Sequence, residues 1–374
     1  MAGIYIHIPF CKQACNYCNF YFTTSPKLKN DFVDALIKEI ELQKNFFDNE
    51  IVESIYFGGG TPSHIDVADL MKIADAIFKH FNCNISEFTI EANPDDLTSK
   101  KITKLLHLKS VGLNRFSIGV QSFVEEDLHF MNRAHSVEEA TAAIKRTQDA
   151  GFDLITLDLI YGTPTLSNEQ WLTNLAKTKE IGVPHFSSYA LTVEENTTLY
   201  QKIKKQKLPS INEEKAIEQF NLLMDFAAQN HYEHYEISNF ALQGKRAIHN
   251  SNYWKGKHYL GLGPSAHSFK HQERSWNLPD LKSYILNLSQ GKLNQEKETL
   301  NHIQRANEFI MTSLRTIEGL PLNHEITKTF KPQVLKNLEK VKHDYYTLSN
   351  EIIILTNSGK HFADAVALAL WLEE

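Results

Sequence analysis

Short apolar runs alternate with amphipathic helical stretches through the first half of this chain, and that alternation limits the fold more than any other feature. The runs are Ile4 to Ile8, Ser54 to Phe57, Phe88 to Glu91, Arg115 to Val120, Leu154 to Tyr161 and Phe186 to Leu191. Helical spacing of apolar residues separates them over Asp31 to Phe47, Asp66 to Phe81, Ser99 to Leu108, Val137 to Ala150 and Gln170 to Ile181. Parallel strands need a helical crossover, so consecutive β-α units imply a parallel sheet and an α/β fold. Unusual residues gather where the runs end: cysteines after the first, glycines after the second, then Glu91, Gln121, and Asp158 with Tyr161. Catalytic groups of β/α barrels come from the carboxyl ends of several strands. The pattern therefore predicts a barrel-like arrangement, full or partial, with its site at that end.

The alternation stops near residue 195, and a chain of 374 residues exceeds what one hydrophobic core usually serves. Two domains are expected, 1–235 and a smaller, mainly helical α+β domain over 236–374. Helices are read at Glu213 to Gln229, Pro279 to Gln290, His302 to Ile317 and Pro332 to Lys342, with hairpin-like stretches between. The last segment, Tyr346 to Glu374, reads as strand, turn and helix, in the manner of a winged-helix end. A formal net charge of −6 argues against a phosphate-tracking surface and hence against nucleic acid. No apolar run reaches the roughly 18 residues of a membrane span. The first residues, MAGIYIHIPF, do not read as a signal peptide, so a cytoplasmic protein is expected.

Three of the four cysteines, Cys11, Cys15 and Cys18, fall in one loop. In a reducing compartment such spacing suggests metal binding, not disulfides. Structural zinc takes four protein ligands and a cubane cluster usually four thiolates, so three thiolates suggest a cluster with one iron left open. The competing reading is a zinc knuckle completed by His7 or Cys83. Gly58 to Gly60, followed by Thr61 and Pro62, would permit close backbone approach to a ligand with amides free to bind it. Glu91 is the lone charge of the run Phe88 to Glu91 and could cap an amide or accept bonds from hydroxyls or an ammonium. Arg133 could hold a carboxylate or form a surface ion pair; Asp158 ends an apolar strand, where a charge suggests function. The run His249 to Trp254 suits a haem pocket, but on the residues alone a loop packed at the barrel mouth, with His249 in the core, is the simpler reading.

The strings YIHIPFC, YFGGGTP, EANP, SIGVQSF, DLIYG, YEISNFA, HNSNYW and GLGPSAHS together resemble radical S-adenosylmethionine (SAM) proteins of the oxygen-independent coproporphyrinogen III oxidase group. The resemblance runs from Tyr5 to about His267. It implies a partial (β/α)6 TIM-like radical SAM barrel with an oxidase-type C-terminal domain. It also implies a [4Fe–4S] cluster on Cys11, Cys15 and Cys18, whose fourth iron is chelated by SAM, and one-electron cleavage of SAM to a 5′-deoxyadenosyl radical. Tyr5, Gly59, Gly60, Thr61, Glu91, Gln121, Arg133, Asp158 and Ala190 are the implied SAM-site residues. Two departures separate the chain from the oxidase: Phe20 stands where the oxidase has a further cysteine, and the first strand begins at Ile4 without a longer leading segment. Both, with the HNxxYW run, resemble the haem-chaperone branch of the group. That branch implies haem as cargo, His249 as a candidate haem contact, and acceptor haemoproteins, respiratory and membrane-associated ones included. A cluster can stabilise a dimer, so a homodimer stays open although no sequence feature demands it.

Overall fold

Runs of Ile, Val, Leu and Phe become strands buried on both faces, as parallel strands are when helices cover them. The computed structural model describes residues 2–373, so the expected terminus Glu374 lies outside the described residues. The strands β1 (Ala2–Ile8), β2 (Val52–Gly59), β3 (Cys83–Ala92), β4 (Arg115–Gln121), β5 (Leu154–Tyr161) and β6 (His185–Ala190) pair in that order, all parallel. Their crossovers carry α1 (Lys29–Leu42), α2 (Val67–His80), α3 (Ser99–Lys109), α4 (Glu125–Phe130), α5 (Val137–Asp149) and α6 (Asn168–Ile181). Ser136 with Glu139 and Ser167 with Gln170 close capping boxes that start α5 and α6. α1 stops before the expected Phe47, in a stretch rich in Asn and Asp that favours turns. Phe47 nonetheless stays buried against Phe81.

The barrel is partial. After α7 (Thr198–Lys204) and α8 (Glu213–Gln229), β7 (Glu233–Glu236) and β8 (Asn239–Ala241) extend the sheet antiparallel beyond β6. On the other side β9 (Tyr259–Leu262) pairs parallel with β1. β10 (His267–Lys270), β11 (Glu273–Asn277) and β12 (Gln295–Thr299) complete a 12-stranded sheet. The boundary expected after residue 235 thus falls inside β7, and the sheet runs on to Thr299. A second core begins only at α11 (His302–Leu314), which follows α10 (Leu281–Ser289). It packs α12 (Lys331–Leu338), α13 (Asn357–Lys360) and α14 (Ala363–Ala369) against a three-stranded sheet of β13 (Leu320–Pro321), β14 (Tyr346–Ser349) and β15 (Ile352–Leu355).

The HNSNYW run, expected as a loop, is a helix, α9 (Ile248–Trp254). The reason is distant in sequence. Glu87 of β3 accepts hydrogen bonds at 2.9 Å from the backbone N–H groups of Ile248 and His249, caps α9, and pairs with buried Arg115 at 2.8 Å.

Candidate functional site

Register brings the strand ends into one row: Glu91 lies beside Ser117, and Asp158 sits between Gly119 and Ser187. Above them opens a cavity of about 950 Å³, lined by Cys11, Cys15, Cys18, Gly59, Gly60, Thr61, Glu91, Gln121, Arg133, Asp158 and Ala190. Two expected residues stand elsewhere. Tyr5 lies behind this wall, its ring 6.0 Å from Tyr56 and its hydroxyl 3.2 Å from His7 Nδ1.

His249 does not reach the cavity. Its Nδ1 bonds Ser54 Oγ at 2.9 Å, its Nε2 bonds the Tyr253 hydroxyl at 2.8 Å, and its ring stacks on Tyr56. Both nitrogens are engaged, and burial lowers the imidazole to about 3, so it is a neutral core residue with no lone pair facing a ligand. The haem contact expected at His249 thus stands outside this cavity, in the core position that the residues alone suggested.

The cysteine loop is held against residues 130–132 by backbone and side-chain amides. Asn16 N donates to Met131 O, Asn16 Nδ2 to Phe130 O, and Asn132 Nδ2 to Ala14 O. Thr61 Oγ1 is 3.5 Å from Cys11 Sγ and Arg133 Nη1 3.3 Å from Cys15 Sγ. Burial pushes the Cys11 thiol up to about 11, so thiolate at neutral pH needs a nearby cation or metal centre. Among the described residues no three Cys, His, Asp or Glu groups surround one point closely enough for a single ion. Nor do the proposed fourth zinc ligands arrive. His7 Nε2 bonds Tyr21 O at 2.8 Å, and Cys83 opens β3 at the end opposite the cavity. Three thiols on one wall, with a guanidinium and a hydroxyl at two of the sulfurs, fit a cluster whose charge the protein stabilises.

The glycine loop behaves differently from expectation. Its amides are already occupied: Gly59 N donates to Glu91 Oε2, Gly60 N to Ile8 O and Thr61 N to Phe10 O. Glycine is required here because chain packs on chain. Gly59 has φ +104°, and a Cβ there would lie 2.6 Å from the His7 ring. Gln121 also has positive φ, +68°, at a register shift between β4 and β5, and this bulge turns a non-glycine side chain into the cavity.

Glu91 accepts from Tyr56 Oη at 2.8 Å and is pushed up to about 7, first by burial and then by the Asp158 charge. Asp158 accepts from Ser117 at 3.0 Å and is pushed up to about 6 by burial. Arg133 forms no surface ion pair among the described residues. Its Nη2 donates to Asn93 Oδ1 at 2.7 Å and Gly119 O at 2.6 Å, while buried Nε has no partner. Sequence reasoning missed Tyr56, Asn93, Ser117, Ser187 and Tyr189 on the same wall. Tyr56 and Asn93 lie inside the strings YFGGGTP and EANP, but Lys360, His361 and Phe362 arrive from the second core with no sequence signal.

A Radical SAM superfamily model matches residues 5–178. "Heme chaperone HemW" of Bacillus subtilis is 32% identical over 98% of both chains, and that of Escherichia coli 30% identical over 100% of this chain and 98% of its own. This chain belongs to the radical SAM superfamily. Its relatives include the mitochondrial "radical S-adenosyl methionine domain-containing protein 1" of Danio rerio, 30% identical over 91% of this chain and 78% of that protein. The solved structure of coproporphyrinogen III oxidase (HemN) from Escherichia coli shares this radical SAM fold. Its TM-score is 0.85 at 23% identity, covering 99% of this chain and 90% of that one. Membership implies SAM and a [4Fe–4S] cluster as the groups such a protein binds.

Proposed function

We propose that this radical SAM protein binds haem and passes it to acceptor haemoproteins, with a [4Fe–4S] cluster on Cys11, Cys15 and Cys18. The observation that carries the reading is similarity over nearly the whole chain to relatives named heme chaperones. Phe20 supports it: where the oxidase group would have a further cysteine, an aromatic ring 71% exposed stands on the cavity wall. When bound, the cluster and SAM would supply one-electron reductive chemistry. The chain's own residues bind and orient. Thr61 and Arg133 stabilise thiolate, Glu91 and Asp158 accept hydrogen bonds from hydroxyl or ammonium groups of SAM, and Gln121 adds an amide from its bulge. Gly59 and Gly60 form walls without side chains in the way, Ala190 adds only a methyl, and Tyr5 backs the glycine loop through Tyr56.

No described helix is long and apolar enough to cross a membrane, so membrane-associated acceptors would be met at their surface. A cytoplasmic setting and a cluster-stabilised homodimer belong to the same proposal. Hemin titration of the anaerobically reconstituted chain should give a saturable Soret shift, and no saturable binding would sink the reading. Iron and sulfide should fall away in Cys15→Ala. Incubation with coproporphyrinogen III, SAM and reductant should yield no protoporphyrinogen; its formation would favour the oxidase instead.

A further inference from the structure

Beyond the strand ends, the cavity wall continues onto α8 and the turn between α13 and α14, where Ile217, Phe220, Lys360, His361 and Phe362 meet. This part differs chemically from the cluster side. Ile217 is 44% and Phe362 42% exposed, an apolar surface that water would not favour. His361 is the one histidine among the described residues on the cavity wall. Its ring stands edge-on to Phe220 at 5.0 Å, and Nε2 makes a single exposed hydrogen bond, 2.8 Å to Asn221 Oδ1. Among the described residues Lys360 Nζ hydrogen-bonds His234 Nδ1 at 3.1 Å and Asn357 Oδ1 at 3.3 Å, and no carboxylate pairs with it. Burial keeps His234 neutral, so it accepts from the ammonium without cancelling its charge. A half-buried cation facing a cavity without a counter-ion is suited to an anionic group on a ligand.

We propose that this distal wall seats the haem: His361 ligates the iron, Lys360 pairs with a propionate, and Ile217, Phe220 and Phe362 pack the macrocycle. The inference rests on the haem-binding reading above and replaces His249 with a different imidazole. His361 can exchange its exposed bond to Asn221 for iron with the ring proton on Nδ1, whereas His249 would have to break two buried bonds and leave the core. Burial lowers His361 as well, favouring the neutral imidazole that binds metals. Tyrosine is the other haem ligand type on this wall, but Tyr161 packs its ring on Trp171 and Phe220, and burial keeps its phenol protonated. At about 950 Å³ the cavity lies near the top of the roughly 300–1,000 Å³ range of ligand sites.

The test uses the reconstituted full chain titrated with hemin and with hemin dimethyl ester, in wild type, His361→Ala, His361→Met and Lys360→Gln. His361→Ala should weaken hemin by roughly tenfold or more, and His361→Met should move the Soret band and change the ligand signature in electron paramagnetic resonance. Lys360→Gln should weaken hemin while leaving the dimethyl ester unaffected. Iron content and SAM binding report that the variants fold. Hemin affinity and spectra unchanged in every variant would overturn the inference and leave haem binding intact. Absence of saturable hemin binding by wild type would overturn both.

Discussion

Replacing Glu87 with methionine should loosen the cavity wall from behind. The side chains of Glu87 and Arg115 are 1% and 3% exposed, and the pair is 2.8 Å apart. Glu87→Met leaves a buried guanidinium without its counter-ion, a loss of about 3–5 kcal/mol when one partner of a buried pair is removed. It also uncaps α9 at Ile248 and His249, adding about 1 kcal/mol on the scale of cap deletions. Against a domain stability of about 5–15 kcal/mol this is a large fraction. Arg115 additionally donates to Lys245 O and Arg246 O at 3.1 Å each, so Arg115→Met carries its own cost. The double variant removes both charges and should be less destabilised than the sum of the singles by more than about 1 kcal/mol. Urea unfolding of the four proteins measures the cycle, and amide exchange over 247–254 reports whether α9 loosens first. Additivity within about 0.5 kcal/mol would refute the pairing argument.

Gly59→Ala should destabilise by about 1–3 kcal/mol from its left-handed φ alone, with more from the His7 contact; a midpoint equal to wild type in urea would contradict this. His249→Ala should cost about 1–3 kcal/mol for each hydroxyl left unpaired, Ser54 and Tyr253, yet leave hemin affinity within error of wild type; a lost Soret shift would return His249 to the site. Glu91 is raised from 4.5 in its ordinary state to about 7 in the fold. The folded state then holds the proton longer than the unfolded one, so this stabilising contribution is complete below about pH 4.5 and fades as pH rises through 7. Each tenfold change in proton affinity is worth roughly 1.4 kcal/mol, so the loss is on the order of 3 kcal/mol. Glu91→Gln should therefore match wild type near pH 5 and exceed it near pH 8 in apo-protein denaturation; parallel pH curves would remove the ionisation argument.

The strands of the partial barrel were legible because local chemistry decides them. Ile, Val and Phe runs between periodic helices require buried parallel strands, and Leu154–Tyr161 forms over the expected residues. The gathering of Cys11, Glu91, Gln121 and Asp158 at one end follows from strand direction alone. What escaped the sequence depends on contacts between distant segments. α9 forms because Glu87, more than 160 positions earlier, caps it. β9 joins the barrel edge through pairing with β1, which no four-residue string could announce. Three glycines in a row imply close approach to a ligand, but the close approach is made by His7 and Ile8 of the neighbouring strand. His361 follows a helical turn in the second core, and only tertiary packing brings it to the cavity shared with the cysteine loop.

The most direct test of haem delivery loads the reconstituted chain with hemin, removes the excess, mixes it with a purified apo-haemoprotein and separates the two by gel filtration. The account predicts that hemin leaves this chain and appears in the acceptor's absorption faster than free hemin enters at the same total concentration. Retention of hemin on this chain, or transfer no faster than from solution, would contradict it.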